Sequence, residues 1–514
     1  MLEYYAAGAG LRLAQIVIYS SLWIVIGLFV AAFFRRVLGA ERTRKFFGNG
    51  TRRGLLVGWL MGMLIPVCSL GVIPIVREMH RSRVQGGTII AFGLTAPLFN
   101  PLSVLYGLTL SDPIAIITFS FCSLLIVSGL GFLWDWLYPV NESKIETKPE
   151  KSPAYGIKRM VSMLDSCATE AAGPALLFIV IGMLSSAIVA TLLPFGYLQG
   201  GLEQTNLLAP VKVSAIATPI YTTPLLAMSQ IGGMFQHGNS IGAAFSLLIL
   251  GAGINLGLVV CYAKLLGVRR ILLFLTLLVG TTLALAYTIS EPLYPEGVEY
   301  AGHSHAFDVY SHPFNSAQSK PAEVAGRKAA EFWLENELGG TYLLVGLIFL
   351  GVVFRSIRKM AGLEAWYQIA NTNAGKYDKA LPGWVLAATM MLLLVGISIG
   401  SCYIYYPGPK EVLAGMDIVN TECVLTSRNK KWEAAEHWIR VSDDFSRRLE
   451  IGVYLRHGPV DEFQSTTAQL YREKLDELKH SVDDQDSSRI VEQAIAVQDA
   501  YRRMKKIFKQ KYCD

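Results

Sequence analysis

A thiol and a hydroxyl occupy the middle of a proline-flanked stretch at residues 66–74, which reads PVCSLGVIP. Pro66 and Pro74 would break an apolar helix there, because proline lacks a backbone donor and clashes with the preceding turn. Freed carbonyl groups cannot face lipid, so the break is expected to line an enclosed or watery cavity. In that cavity Cys68 could bind a soft cation and Ser69 a polar group, although a buried thiol is also a common small packing residue.

A similar break recurs in the second half of the chain, at residues 218–224, with the sequence TPIYTTP. Its side chains include those of Pro219, Tyr221, Thr222, Thr223 and Pro224. The three hydroxyls could bind a substrate, or they could pair with the carbonyl groups that the break frees. Paired broken segments in the two halves of a chain are typical of the binding site of a membrane transporter.

An amide side chain follows each break inside an apolar run. Asn100 stands between Pro97 and Pro101, and Asn255 lies in a glycine-rich segment. Amides are costly in hydrocarbon, so they either hold helices together or face a cavity, and their position after a break favours the cavity. The residues expected to shape the breaks are Pro66, Gly71, Pro74, Pro97, Pro101, Pro219 and Pro224.

The composition is that of an integral membrane protein. Of 514 residues, 52% are hydrophobic and 17% are charged, and the mean hydropathy is +0.39, so the lipid bilayer is the expected surrounding. A net charge of +6 could suggest nucleic acid, but the excess lies in short segments beside apolar runs and fits cytoplasmic loops better. No nucleic-acid partner, nucleotide-driven pump or cofactor is predicted, since no Walker A motif or zinc-type cysteine spacing occurs.

Eight apolar runs approach the roughly 20 residues that a spanning helix needs. They cover residues 13–34, 88–110, 113–140, 172–194, 240–263, 271–289, 341–354 and 384–406. Two more segments, 54–76 and 211–231, contain the proline breaks. If these two crossed the membrane with the N-terminus outside, eight basic residues between Arg77 and Arg159 would lie outside. If both segments are re-entrant, those eight residues lie on the cytoplasmic side with most other basic residues of the chain. This agrees with the charge rule, by which lysine and arginine concentrate in the cytoplasmic loops of membrane proteins.

The fold class that follows is an all-α, polytopic membrane protein with two inverted repeats. Each repeat has three spanning helices and one proline-broken re-entrant segment, and three crossings turn the second repeat upside down. The expected domains are a first repeat at 1–140, a cytoplasmic linker at 141–160, a second repeat at 161–290, an extracytoplasmic loop at 291–340, two additional spans at 341–406 and a soluble helical domain at 407–514.

The C-terminal domain has apolar residues at helical spacing in three segments, which predicts a bundle of three or four helices. The charge rule places it on the extracytoplasmic side, where it could recruit a protein partner. Cys423 and Cys513 would then share an oxidising compartment and could form a disulfide.

Three histidines, His303, His305 and His312, lie in the loop before the last two spans. A transition metal could be held by two or three of these imidazoles. Their spacing matches no closed zinc pattern, so incidental histidines in a polar loop are the alternative interpretation.

The pattern P-x-C-S-x-G-x-x-P at 66–74, followed by a basic turn and a helix rich in glycine and proline, resembles the ArsP-like family of predicted permeases. The similarity covers roughly residues 13–289. It implies a multi-span permease with a cysteine-bearing proline motif, and some members of that family are associated with efflux of trivalent organoarsenicals. Many members carry a second cysteine where this chain has Leu70, so this motif offers one thiol.

The sequence as a whole predicts a permease that exports a small solute or ion, with a metalloid or metal species among the candidates. Alternating access would operate through a site between the two proline breaks. A membrane-embedded enzyme with Cys68 as its nucleophile is one alternative, although no hydrolase motif is present. A membrane-anchored scaffold that recruits partners through its C-terminal domain is another. An interfacial position is expected for the carboxylates nearest to spans, Asp135, Asp165 and Glu170.

Overall fold

The structure is a computed structural model that describes residues 1–48, 53–139, 157–294, 305–315, 320–335, 338–361 and 383–513. Within these residues the secondary structure is helical, and the sole strand-like pairing is an isolated bridge between Glu203 and Asn239. Five described helices are long and apolar enough to span a membrane, or up to seven if each of two sharply bent helix pairs counts as one span. The prediction of an all-α, polytopic fold is confirmed.

The chain forms two compact units, one of Met1–Val104 with Ile114–Gly396, and the other of Leu105–Pro113 with Ile397–Asp514. The chain begins with α1 (Leu2–Phe33), which continues through a π-helical turn (Phe34–Leu38) into α2 (Gly39–Phe46). The next helices are α3 (Arg53–Leu64), α4 (Val72–Arg81), α5 (Gly86–Thr95), α6 (Pro101–Leu110) and α7 (Pro113–Leu137).

After α8 (Ile157–Ala171), a helix that the hydrophobic pattern did not predict, the order of long and short helices recurs. The elements are α9 (Pro174–Leu192), α10 (Ala209–Ala217), α11 (Pro224–Gln236), α12 (Ile241–Ser246) with a π-helical extension (Leu247–Ala252), α13 (Leu256–Leu266) and α14 (Val268–Ser290). A 3-10 turn (His305–Tyr310), α15 (Pro321–Glu335), α16 (Gly339–Ala361) and α17 (Gly383–Tyr405) follow.

Four interruptions separate short helices, and we call them breaks 1 to 4. They are residues 65–71 between α3 and α4, 96–100 between α5 and α6, 218–223 between α10 and α11, and 253–255 between α12 and α13. Breaks 1 and 3 lie where the prolines predicted them. The runs at 88–110 and 240–263 are interrupted as well, because Pro101 begins a new helix and Asn255 caps another after a bend of 58°. The first of these interruptions contains Pro97, as the sequence predicted, whereas the second has no proline.

Two pairs of helices run side by side in the same direction. The contacts are Gly54 with Thr88 and Gly62 with Ala96 between α3 and α5, and Pro210 with Gly242 and Ala217 with Gly251 between α10 and the extended α12. In each pair one short helix, α4 or α11, separates the two partners along the chain.

A cavity of about 470 Å³ lies at one end of the first unit. We call it the basic cavity because its lining includes Arg35, Arg77, His80, Arg81 and Arg83, together with Glu78 and Glu170. The last turn of α1 reaches this cavity at Ala32, and α9 begins just after Glu170. At the other end, Arg12 of α1 and Leu193 just after α9 bind residues 308–312. Therefore α1 and α9 run in opposite directions between the same two ends.

The second unit contains a four-helix bundle, within the predicted range of three or four. Its helices are α18 (Pro409–Arg428), α19 (Trp432–His457), α20 (Glu462–Asp483) and α21 (Ser487–Tyr512), and each packs against two of the others. Fully buried Leu449, Tyr471 and Phe508 fill its core. The unit also includes Tyr106 of α6, whose hydroxyl interacts with Arg447.

Cys423 and Cys513 could pair according to the sequence, but no disulfide joins them in the structure. Cys423 carries a free thiol that lies fully buried in the C-terminal half of α18, and burial raises the pKa of this thiol to about 12. Cys513 follows the last turn of α21 and is half-buried at the edge of the same core. The core position of Cys423 makes it a small apolar packing residue.

A buried ion pair between Arg472 and Glu450 crosses the bundle core. Their side chains are 6% and 1% exposed, and Glu450 also accepts a hydrogen bond of 3.0 Å from Ser465. Arg472 in turn donates one of 3.2 Å to Ser446. Such a pair contributes little net stability, but the loss of one partner strands the other charge in the core.

We therefore expect Glu450→Gln to destabilise the bundle by about 3–5 kcal/mol, because Arg472 would remain buried without its counter-charge. Hydrogen exchange of the bundle amides in the purified full-length protein measures this change. The matched control is Glu477→Gln, which removes the exposed Lys474 pair and should change the free energy of unfolding by less than about 1 kcal/mol. If the two substitutions changed the free energy of unfolding equally, burial of the Arg472 charge would not add to the effect of losing its partner.

Candidate functional site

Breaks 1, 3 and 4 meet at the middle of α9. A Cβ atom at Gly182 would lie 2.6 Å from the Leu70 side chain and 2.7 Å from the Asn255 amide oxygen, so a larger residue would displace both side chains. One turn further on, the Ser186 hydroxyl accepts a hydrogen bond of 2.7 Å from the Tyr221 backbone amide. It also donates one of 2.9 Å to the Gly182 carbonyl. Two neighbouring turns of one helix thus hold residues of three breaks.

Break 2 joins this region through break 4. A Cβ atom at Gly253 would lie 2.8 Å from the side chain of Leu94 and 3.1 Å from that of Leu98, so the two segments approach closely. Just before break 4, Gly251 faces the methyl group of Thr222. The four breaks therefore form one connected region, which we call the break cluster.

The Cys68 thiol is fully buried in the break cluster. Its sulfur accepts a hydrogen bond of 3.3 Å from the Gly71 backbone amide. The Tyr221 hydroxyl lies beside this sulfur and beside the Ser20 hydroxyl of α1, and it interacts with both. Neither contact has ordinary hydrogen-bond geometry, and the same holds for its contacts with the other described residues. The structure thus brings together two predicted site residues, one from each half of the chain.

Asn100 and Asn255 have the same role in the two halves. The Asn100 side-chain oxygen accepts a hydrogen bond of 2.8 Å from Ser103 at the start of α6. The Asn255 oxygen accepts one of 2.9 Å from Leu258 at the start of α13. A side-chain oxygen in this position is an N-cap, which stabilises a helix by roughly 1 kcal/mol. Both asparagines are fully buried.

Four polar groups in the break cluster have no hydrogen-bond partner among the described residues. They are the Ser69 hydroxyl, the Tyr221 hydroxyl and the side-chain NH₂ groups of Asn100 and Asn255. Buried polar groups are nearly always hydrogen-bonded, because an unpaired group costs about 1–3 kcal/mol. A polar solute or water in this region would pair with them. The break cluster carries no charged residue, so it offers donors, acceptors and one soft sulfur.

Thr222 and Thr223 contribute in different ways. The Thr223 hydroxyl accepts a hydrogen bond of 3.2 Å from Leu226 and caps α11, which is the backbone-pairing alternative that the sequence left open. The Thr222 hydroxyl lies beside the hydroxyl of Tyr310. Tyr310 itself donates a hydrogen bond of 2.7 Å to Gln230 of α11. Break 3 is thus in contact with a residue from the loop that follows α14.

An ion pair connects the basic cavity to the break cluster. Arg77 and Glu170 are 2.7 Å apart between Nε and Oε1, and each side chain is 21% exposed. Arg77 lies on α4, which begins at break 1, while Glu170 lies in the last turn of α8. The pair therefore ties the helix that follows Cys68 to α8.

The metal site predicted for three histidines stays a prediction, because the structure does not describe all of them. His303 lies outside the described residues, and His305 starts the 3-10 turn. The ring nitrogens of His312 lie 2.9 Å from the Phe314 carbonyl oxygen and 3.2 Å from that of Tyr4, and its ring stacks on Tyr4. Burial lowers the pKa of His312. Among the described residues no group of three or more potential metal ligands occurs.

Residues 9–291 match a protein family, ArsP_1, which is described as a predicted permease. This match covers more than half of the 514 residues. The chain belongs to this permease family. The resemblance that the motif at 66–74 indicated is confirmed, and the family together with the apolar helices makes this a multi-pass membrane protein.

Two curated relatives match short parts of this permease. The UPF0718 protein YcgR of Bacillus subtilis (strain 168) is 31% identical over 80 residues, which are 16% of this chain and 27% of that protein. The "Putative two-component membrane permease complex subunit" of Streptococcus mutans serotype c (strain ATCC 700610 / UA159) is 28% identical over 88 residues, 17% of this chain and 29% of that protein. The chain thus covers less than a third of each relative. No solved structure matches the chain.

The sequence did not identify several residues that build the site. Ser186 is a hydroxyl within an apolar helix, and that alone could have marked it. Gln230 was not singled out from the sequence; it lies within α11, which places it in contact with Tyr310. The Arg77 and Glu170 pair had no local signal.

The side-chain oxygen of Asn255 caps α13, and its NH₂ group has no partner among the described residues, so substitutions can separate the effects of the two groups. Asn255→Ala should destabilise the permease by about 1 kcal/mol through loss of the cap, whereas Asn255→Ser, which also caps well, should cost less than about 0.5 kcal/mol. Thermal unfolding of the detergent-purified protein measures both, and Asn206→Ser in the loop before α10 is the control. If serine destabilises as much as alanine, the NH₂ group rather than the cap carries the stability.

Proposed function

We propose that this permease exports a small solute or ion by alternating access, and that the substrate binds in the break cluster. The observation that carries the proposal is the set of unpaired buried groups on Ser69, Asn100, Tyr221 and Asn255, which come from both halves of the chain. A site of this kind suits a solute that makes several hydrogen bonds and exchanges them readily with water.

The proposal includes two inverted repeats. The order of elements supports it, since each half has one long helix, two pairs of short helices separated by a break, and a second long helix. The direction of the helices supports it as well, because α1 and α9 open the two halves and run oppositely. Opposed rocking of such repeats around a central site is the usual route to alternating access.

Within each repeat we propose one re-entrant hairpin, α3 with α4 and α10 with α11. The parallel course of α3 and α5 supports the first hairpin, because α4 alone lies between them and has to bring the chain back. The parallel course of α10 and α12 supports the second hairpin in the same way. Their tips, breaks 1 and 3, then approach each other where Cys68 meets Tyr221.

The basic cavity would be the cytoplasmic entrance to the site. Arginine and lysine concentrate on the cytoplasmic side of membrane proteins, and this cavity is lined by Arg35, Arg77, Arg81 and Arg83. The N-terminus and the bundle at 407–513 would then be extracytoplasmic, and the bundle would be available to a protein partner. Export would begin at this cavity.

A metalloid or soft metal species is the substrate class that Cys68 favours, because sulfur is the only soft ligand in the break cluster. Leu70 packs against Gly182, so the position where many family members carry a second cysteine is filled by an apolar side chain. Capture would therefore use one thiol, with Tyr221 and Ser69 as hydrogen-bonding neighbours.

Single cysteines test the topology in a background without the native thiols. Arg83→Cys should react with a membrane-impermeant thiol reagent only in everted vesicles, because both hairpins return to their own side. Leu207→Cys and Ser487→Cys should react only in intact cells; Leu207 is 75% exposed. Labelling of Arg83→Cys in intact cells would mean that residues 54–76 cross fully, and the inverted repeat would fail.

Uptake of methylarsenite into everted vesicles tests the transported class. We expect uptake with the unaltered protein and a loss of roughly tenfold or more in Cys68→Ser, which keeps the size of the side chain but removes a soft contact of about 1.4 kcal/mol. The control is Cys122→Ser on α7, which should keep full uptake. Uptake that Cys68→Ser leaves unchanged would assign Cys68 to packing, and absence of uptake would direct attention to uncharged organic solutes.

A further inference from the structure

A short segment outside the region matched by the permease family folds against the break cluster. Residues 305–315 come after α14 and lie beyond residue 291, where the family match ends. Their 3-10 turn packs against α9 and α11. The segment belongs to the first unit, so it contacts the repeats directly.

Tyr310 is the residue of this segment that reaches break 3. Its side chain is 2% exposed, its hydroxyl donates a hydrogen bond of 2.7 Å to Gln230, and the same hydroxyl lies beside that of Thr222. Its ring packs at 5.9 Å from the ring of Phe307. A large side chain therefore fills the space next to break 3 and pairs with polar groups on both sides.

Three anchors hold the segment in place around Tyr310. The Arg12 guanidinium of α1 donates hydrogen bonds of 2.7 Å to the carbonyl oxygens of Asp308 and Ser311. The His312 backbone amide donates one of 2.9 Å to Leu193 at the end of α9. These bonds involve backbone atoms on either side of Tyr310, so the tyrosine side chain is positioned by the first helix of each repeat.

The segment and the basic cavity lie at opposite ends of α1. Arg12 binds the segment and Arg35 lines the cavity, and 23 residues of helix between them span roughly 35 Å, about the thickness of a bilayer core. Break 1 contacts α1 between these ends, where Gly27 meets Gly71. The break cluster thus lies at mid-depth, with the basic cavity on one side of it and Tyr310 on the other.

We propose that Tyr310 is the gate residue of this permease on the face opposite the basic cavity, and that it occupies the polar contacts of Thr222 and Gln230 until the site opens to that face. The inference rests on the proposed alternating access. When the gate opens, Tyr310 leaves both groups, and the Thr222 hydroxyl and the Gln230 amide oxygen become contacts for the departing solute. The segment at 305–315 would thus add a specificity element that the family-matched region lacks.

Thiol accessibility tests the gate without a transported substrate. Thr222→Cys, in a background without native thiols, should react very slowly with a membrane-impermeant methanethiosulfonate added to intact cells. Adding Tyr310→Ala should raise the labelling rate by roughly one to two orders of magnitude, because a buried ring and its hydrogen bond no longer block the path. Tyr310→Phe should raise it by about fivefold, because only the hydrogen bond is lost.

Tyr294→Ala is the matched control, since Tyr294 is a tyrosine near the same loop that binds the Gly238 carbonyl instead of break 3. It should leave the labelling rate of Thr222→Cys unchanged. Thermal unfolding of each detergent-purified tyrosine variant reports whether it folds. If Tyr310→Ala fails to fold, the labelling rate of Thr222→Cys in the Tyr310→Phe variant decides whether Tyr310 is the gate.

The gate is refuted if Thr222→Cys labels from outside equally fast with and without the Tyr310 substitutions, or if Tyr294→Ala accelerates it as much as Tyr310→Ala. A negative result here would leave the methylarsenite measurement and the inverted topology standing. Conversely, a lack of methylarsenite uptake would not change the labelling rates, so the two failures are distinguishable.

Discussion

Lipid cannot satisfy a backbone carbonyl or amide, and this constraint governs the arrangement of the membrane helices in this protein. Four breaks free such groups, and the chain gathers them against one another instead of spacing them around the molecule. Glycines make this gathering possible: Gly27 meets Gly71, and Gly182 and Gly253 admit neighbouring side chains where a Cβ atom would collide. Ser186 and the two asparagine caps then supply hydrogen bonds that the interrupted helices have lost.

The same packing produces a region that suits a transported solute. The side-chain oxygens of Asn100 and Asn255 accept hydrogen bonds from backbone amides of the helices that follow them. The NH₂ groups of the same two side chains have no hydrogen-bond partner among the described residues. The unpaired NH₂ groups of Asn100 and Asn255 are therefore a by-product of helix capping, and their absence of charge keeps the cost of burial moderate. A transporter benefits from such a site, because a ligand held by a few neutral hydrogen bonds can also leave.

Sequence reasoning succeeded where covalent geometry or composition dictates the outcome. Proline disrupts a helix beyond its first turn, so breaks 1 and 3 could be predicted from the proline pairs, and the helical class from the apolar runs. Break 4 has no proline, and its interruption depends on Asn255 binding the amide of Leu258, which competes with an uninterrupted helix only in the packed protein. The order of apolar runs alone could not distinguish these outcomes.

Contacts between distant residues account for the rest of what was missed. Arg77 pairs with Glu170 across 93 positions, and Tyr310 pairs with Gln230 across 80. Neither pair leaves a periodic signal, because each depends on how whole helices are placed.

The helix α6 has a consequence for the permease as a whole. It begins at Asn100 in the break cluster, but its residues from Leu105 onward belong to the compact unit that contains the C-terminal bundle, where Tyr106 interacts with Arg447. A chain trimmed to the family-matched residues 9–291 would keep Asn100 while depriving the following turns of their packing partners. Residues 105–113 of the family-matched region therefore belong to the same compact unit as the C-terminal helices.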